Sequence, residues 1–288
     1  MASNSTINPT NTIAVVVWFQ PSTLQVQNIL SYLSYVRHVI IVDNSSQDNS
    51  TLLAHLPATS YSYLPLYDNY GIATALNKGC RLAISKQAEW ILTMDQDSTW
   101  EEQQLILYLH MANIYPQIQA VGVFSPRQDY NGHAHHYAQE YEQKTAVMTS
   151  GCLIAAKGFQ ETNGFREDFF IDEVDNEYCM HIRRLGMQVV IINNTLLQHH
   201  LGDQQHIHFL GLFPKQYASH APWRYYYMVR NNLSLSDSYP QYRGFNNKRL
   251  HRTIKRVVLY HRSHKLSALR MCLRGWWDYR HGRMGRRF

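Results

Sequence analysis

Three short apolar runs constrain this chain most: Thr12–Phe19 (TIAVVVWF), His38–Val42 (HVIIV) and Trp90–Met94 (WILTM). Each has strand length and no alternation with charged positions. A strand without a polar face must be covered on both sides, as in a parallel sheet between two helical layers. Helix-like stretches separate the runs at Pro21–Tyr35, Ile72–Lys86 and Glu101–Asn113, with further strands expected at Tyr61–Leu66 and Ala120–Phe124. This alternation predicts an α/β fold with a mostly parallel sheet flanked by helices and joined by right-handed crossovers. At 288 residues the chain holds one large domain with appendages. Its longest apolar run, Ile13–Phe19, falls far short of the ~20 residues that span a bilayer. The polar start, MASNSTINPTNT, lacks signal-peptide regions, and residues 1–11 are expected to be a flexible N-terminus. Cys80, Cys152, Cys179 and Cys272 are scattered without a CxxC pair, which fits a reducing cytoplasm rather than a disulfide framework.

After Pro126 the rhythm changes. Arg127–Lys144 is polar, His-rich and loop-like. Phe170–Leu185 reads as a helix stopped by Gly186, Gln188–Ile192 as a strand, and Trp223–Leu235 as an aromatic-rich helix. Charge is unevenly spread: Arg243–Phe288 carries 14 Lys and Arg against one acid, Asp278, while the preceding residues are net acidic. Asn246–Tyr260 and Lys265–Tyr279 have helical apolar stripes ending in Trp276 and Trp277, with basic residues elsewhere. Basic amphipathic helices with Trp lie in membrane interfaces, so an anionic membrane surface is the expected partner and nucleic acid is not.

In an open α/β sheet, ligands bind beyond the carboxyl ends of the strands. Two strands here end in acids, Asp43 and Asp95-Gln96-Asp97. Extended residues i and i+2 point the same way, so Asp95 and Asp97 repel until a divalent cation joins them. The plainer alternative is that Asp97 or Ser98 caps the following helix. Asp43 suits a base or ribose contact, or simply an Asx-turn in DNSS. DNYGIATALNKG offers Gly71 for close backbone approach at a helix N-terminus. In FFIDEVDNEYC, helical spacing would put Asp172 and Asp175 on one face and Glu173 with Glu177 on another; a general base needs one such carboxylate. The many histidines include no HExxH and no paired cysteines, which argues against zinc.

In order, VVVWFQP, VIIVDNSS, DNYGIATALNKG, LTMDQDS, TSGCLIA, FFIDEVDNEYCMHIRRLG, HHLGD and RYYYMVRNN resemble a family 2 glycosyltransferase of the GT-A fold, within the bacterial rhamnosyltransferase-like group. The resemblance covers about Thr12–Leu235. It implies a GT-A domain over residues 12–242, followed by a basic helical extension, 243–288. It implies donor contacts from Asp43, Asp68, Asn69, Gly71, Asn77, Asp95 and Gln96, and Mn²⁺ or Mg²⁺ held by Asp95, Asp97 and His200, with His199 a rival. Asp175 matches the catalytic base, with Asp172 and Glu173 as competitors, and Ser150, Gly151 and Asp172 fall at the acceptor and sugar pocket. The implied reaction is inverting, metal-dependent transfer of a sugar, such as L-rhamnose, from a dTDP- or UDP-sugar. The acceptor is a lipid-linked glycan of O-antigen or capsule, met at the cytoplasmic face of the membrane. The first strand departs from the family in ending WFQP. The alternatives are a sugar-nucleotide nucleotidyltransferase, which lacks here its Gly-rich loop after the first strand, and a non-catalytic membrane- or nucleic-acid-binding protein.

Overall fold

A computed structural model describes residues 6–129, 137–199, 204–209, 213–218, 220–259 and 264–288. The chain divides into two compact units, Met1–Arg166 with Asp175–His200, and Glu167–Val174 with Leu201–Phe288.

The first unit begins β1 (Thr12–Trp18), α1 (Thr23–Leu30), β2 (His38–Asp43), β3 (Tyr61–Pro65), α2 (Ile72–Ser85) and β4 (Trp90–Asp95). It continues β5 (Ser98–Thr99), α3 (Glu102–Ile114), β6 (Val121–Asp129), β7 (Tyr141–Gln143), β8 (Cys152–Ala155) and α4 (Ala156–Thr162). Most of α5 (Val174–Arg184) and β9 (Gln188–His199) complete it. Its sheet runs β3-β2-β1-β4-β8-β6-β9-β5, with β7 paired to β9. β1, β2, β3 and β4 are mutually parallel, as expected, and β8 enters antiparallel between β4 and β6.

The apolar runs behave as their composition requires. Every residue of β1 is buried. Ala14, Val16 and Trp18 join Val26, Ile29, Leu105 and Tyr108 in the core on one face. On the other, α2 lies so close that a Cβ on Gly79 would meet Val15 Cγ1 at 2.4 Å and Val42 Cγ2 at 2.9 Å. Residues 7–11, expected to be loose, are seated instead: Ile7 is buried, and it exchanges backbone hydrogen bonds with the Asn113 amide at 2.7 and 2.8 Å.

The second unit holds the β10 (Gln204–Phe209) and β11 (Phe213–Ala218) hairpin, then α6 (Pro222–Ser238), α7 (Arg243–Leu259) and α8 (Lys265–Arg280). The structural division therefore differs from the expected boundary at 242/243. Tyr225 and Val229 of α6 share one apolar cluster with Val257, Ala268 and Cys272 of the basic helices. Gly275 permits the closest approach, since a Cβ there would stand 2.4 Å from the Tyr226 carbonyl oxygen. Among the described residues, no helix is long and apolar enough to cross a membrane.

Candidate active site

The register at the carboxyl end of the sheet sets the geometry. Trp18 pairs with Asp43 on one side of β1, and Val17 with Asp95 on the other. Registered neighbours share a face while successive residues alternate, so the pleat sends Asp43 and Asp95 to opposite faces. Asp43 is fully buried: Oδ1 accepts from the Ser45 N–H at 3.0 Å, and Oδ2 accepts from Asn49 and the Tyr63 hydroxyl, each at 2.7 Å. The Asx-turn reading of DNSS is the one observed. The neighbouring Asn44, which the sequence reading passed over, carries the polar link outward. Its amide donates to Asn69 Oδ1 at 2.9 Å and its Oδ1 accepts from the Tyr70 N–H at 2.8 Å. Asn69 Oδ1 also accepts from the Gly71 N–H at 3.0 Å, and Asp68 Oδ1 from the Asn69 N–H at 2.7 Å. Gly71, at φ +85°, then opens α2. Asn77 lies deeper than expected. Its carboxamide makes two 2.8 Å bonds with the Phe165 main chain and is almost wholly buried, so it serves as a brace.

The Asp95–Asp97 turn is held from several directions. The Asp95 N–H donates to Ser150 Oγ at 3.1 Å, and Ser150 Oγ donates to Ser98 Oγ at 2.8 Å. Gln96 uses its amide on Phe19, accepting from its N–H at 2.7 Å and donating to its carbonyl at 3.2 Å. Ser150 and Gln96, expected as pocket and donor contacts, thus make bonds that fix the turn's shape. Gly151 adopts φ +76° and donates to the Thr93 carbonyl at 2.7 Å. The alternative role for this segment, helix capping, is not taken up: Glu101 precedes α3 without a side-chain cap, and Ser98 pairs in β5. Ser98 stands in register with His199, so β9 delivers its end beside the acidic turn. His200 lies outside the described residues.

Asp95 is half-buried, and burial together with the Asp97 charge pushes its carboxyl up to about 7. Asp175 stands in the first turn of α5, one turn before the buried Cys179. The Cys152 thiol, on β8 opposite Thr93, is driven well above its ordinary value by burial and Cys179, and then by the charges of Asp175 and Asp95. The charges of Asp95 and Asp175 thus both reach the Cys152 thiol, and Asp95 also feels Asp97. A half-buried carboxylate raised in this way, with a second acid beside it, suits a hard, oxygen-seeking cation that keeps further positions for phosphate or water. Among the described residues, no group of three or more His, Cys, Asp or Glu is placed to hold a metal ion.

The helix expected from Phe170 starts at Val174. Phe170, Asp172 and Glu173 all have left-handed backbones, at φ +64°, +62° and +63°. Such residues cost about 1–3 kcal/mol each and need outside support. Asp172 and Asp175 consequently do not share a helical face, and Glu173 and Glu177, expected to face elsewhere, are both buried. The two competitors to Asp175 are ion-paired within the second unit: Asp172 takes a fork of Arg224 at 2.6 and 3.3 Å, and Glu173 a fork of Arg249 at 3.1 and 3.3 Å. No local pattern in the sequence announced these partners, which lie 52 and 76 positions away.

Residues 25–180 match the family model for glycosyl transferase family 2, and the chain belongs to that family. It is a glycosyltransferase of the GT-A fold, which removes the nucleotidyltransferase and non-catalytic alternatives. It is 29% identical over 246 residues to the dTDP-rhamnosyl transferase RfbF of Shigella flexneri, covering 78% of this chain and 79% of that one. The fold is similar to S. aureus TarS 1-349 in complex with UDP-GlcNAc, with TM-score 0.58, 11% identity, and coverage of 91% of this chain and 79% of that one. It is also similar to GalNAc-T7 with UDP, GalNAc and Mn²⁺, with TM-score 0.55 and 12% identity. That match covers 67% of this chain but only 44% of the longer GalNAc-T7 chain.

Proposed function

We propose that the protein transfers a sugar, with L-rhamnose from dTDP-rhamnose the first candidate, to a hydroxyl of a lipid-linked glycan in surface-polysaccharide assembly, with inversion. What supports this reading is the Asp95–Asp97 pair at the carboxyl end of β4, together with the charges of Asp95 and Asp175 both reaching the Cys152 thiol. Asp95 and Asp97 would hold Mn²⁺ or Mg²⁺, which when bound offsets charge on the donor diphosphate. Asp175 takes the proton of the acceptor hydroxyl. The freed oxygen bonds to the anomeric carbon as the bond to the diphosphate breaks, and the nucleoside diphosphate leaves with the electron pair. The Asn44–Asn69–Gly71 link holds the loop beside the donor, so that positioning supplies much of the acceleration. His200 remains a proposed partner of the acid pair.

The lipid-linked acceptor is supported by α8. Leu266, Arg270, Leu273 and Trp277 follow helical spacing on its outer side, with Leu266 83% and Leu273 68% exposed. The one acid of this basic region, Asp278, is buried, accepts from the Tyr226 hydroxyl and is ion-paired to Arg283 and Arg287. The outward surface is thus cationic and apolar, which suits an anionic cytoplasmic leaflet.

The test is turnover of purified protein on a panel of dTDP-, UDP- and GDP-sugars, after chelation and after Mn²⁺ is returned. Metal-dependent consumption of one donor, abolished by Asp175→Asn with nucleotide affinity retained, is the expected result. Normal turnover by Asp175→Asn removes Asp175 from the role of base.

A further inference from the structure

Arg230 and Asn231 sit in the middle of α6, both completely buried. Asn231 Nδ2 lies 2.9 Å from the Phe169 carbonyl, 2.8 Å from that of Ile171 and 2.9 Å from that of Asp172. An amide has two protons, so three converging carbonyls share them. Its Oδ1 accepts from Arg230 Nε at 2.9 Å, which fixes which end of the amide faces the loop. The Arg230 guanidinium donates to the carbonyls of Asp168 at 3.1 Å, Phe169 at 3.3 Å and Gly285 at 2.6 Å. It packs over the rings of Tyr226 and Tyr227, at 5.2 and 4.9 Å.

The backbone these groups grip is the left-handed run before Asp175. At Phe170 the Ile171 N–H closes on the Phe169 carbonyl at 2.7 Å, the tight three-residue turn with positive φ that chains rarely adopt unaided. Phe170 is held by the Tyr227 ring at 5.3 Å, Asp172 by Arg224, and Glu173 by Arg249. A buried guanidinium is a poor way to fill a core, because desolvating it offsets what its contacts contribute. Here its N–H groups donate to main-chain oxygens and to the side-chain oxygens of Asn231 and Tyr226, so the arrangement specifies a backbone path.

We infer that Arg230 and Asn231 are positioning residues for the transfer reaction: they lock the strained Phe169–Glu173 loop, and so fix where α5 begins and where Asp175 is held. The inference rests on the reading of Asp175 as the base.

The experiment compares Asn231→Asp, which keeps size but loses both donors, with the full-length wild type. Hydrogen exchange of residues 169–174 and the first turn of α5 is expected to rise about tenfold, while the amides of β1 and β4 keep their protection. The affinity for nucleoside diphosphate with Mn²⁺ is expected to stay within about threefold, while kcat falls about 100-fold at little-changed donor KM. Unchanged exchange in the loop overturns the inference, as does wild-type kcat per folded molecule, or nucleotide affinity lost in step with kcat. Should Asn231→Asp fail to fold, Arg230→Lys is the milder variant, expected to lower kcat about five- to tenfold with nucleotide affinity kept. Asp175→Asn separates the two readings. Full activity in that variant sinks the base assignment, and the exchange data still decide the clamp. An inactive Asp175→Asn beside a fully active Asn231→Asp sinks the clamp alone.

Discussion

Asp95 is the residue whose chemistry depends most on its surroundings. Burial and Asp97 raise its carboxyl to about 7, so across the window from about pH 4 to 7 the unfolded chain has released a proton that the folded protein still holds. The unfolded state binds fewer protons there, and stability falls as pH rises. Urea midpoints of metal-free protein should therefore drop between pH 5 and 7.5, and Asp95→Asn should flatten that slope. Mn²⁺ held by Asp95 and Asp97 would supply the missing positive charge, so at pH 7.5 it should raise the melting temperature of the wild type and not of Asp97→Asn; equal shifts in both proteins would remove Asp97 from metal binding. The acid pair was visible as a DxD in the sequence. The roles of Gln96, Asn77 and Ser150 were not, because a polar residue beside a site can face either the ligand or the scaffold. Only the positions of Phe19, Phe165 and Ser98 show that these three face the scaffold.

At the level of elements, uninterrupted hydrophobicity was a reliable guide where packing is layered. β1, β2 and β4 lie where the runs predicted, and the capping box of Ser22 and Gln25 starts α1 inside the expected stretch. The pattern failed at Phe170–Glu173, whose acidic and apolar residues read as a first helical turn. Their left-handed conformation is imposed by groups from α6, which overrides local preference. The pairing of α6 with α8 is a second case. Gly275→Ala improves helix propensity but drives a methyl into the Tyr226 carbonyl, and it should destabilise the protein by about 1–3 kcal/mol in urea unfolding. A neutral or stabilising result would mean that the helices do not cross so closely.

For the molecule as a whole, the charge asymmetry of the basic end is displayed by the sequence, while its packing against α6 is not. Because Tyr225 and Val229 are covered by Val257, Ala268 and Cys272, cutting the chain after Tyr242 would strip the apolar face of α6. That truncation should yield aggregating protein rather than a clean loss of membrane affinity. Leu273→Glu with Trp277→Glu leaves the cluster untouched and should abolish flotation with anionic vesicles; flotation equal to wild type would refute α8 as the docking face. The alternation of strands and helices, the cover on both faces of β1 and the acid pair at the end of β4 follow from apolar runs and residue spacing, which are local quantities that a linear chain displays. The opposite facing of Asp43 and Asp95, the ion pairs that occupy Asp172 and Glu173, and the strained entry into α5 depend on register and on partners up to 76 positions apart. No short-range pattern encodes such contacts, so only the assembled tertiary structure determines them.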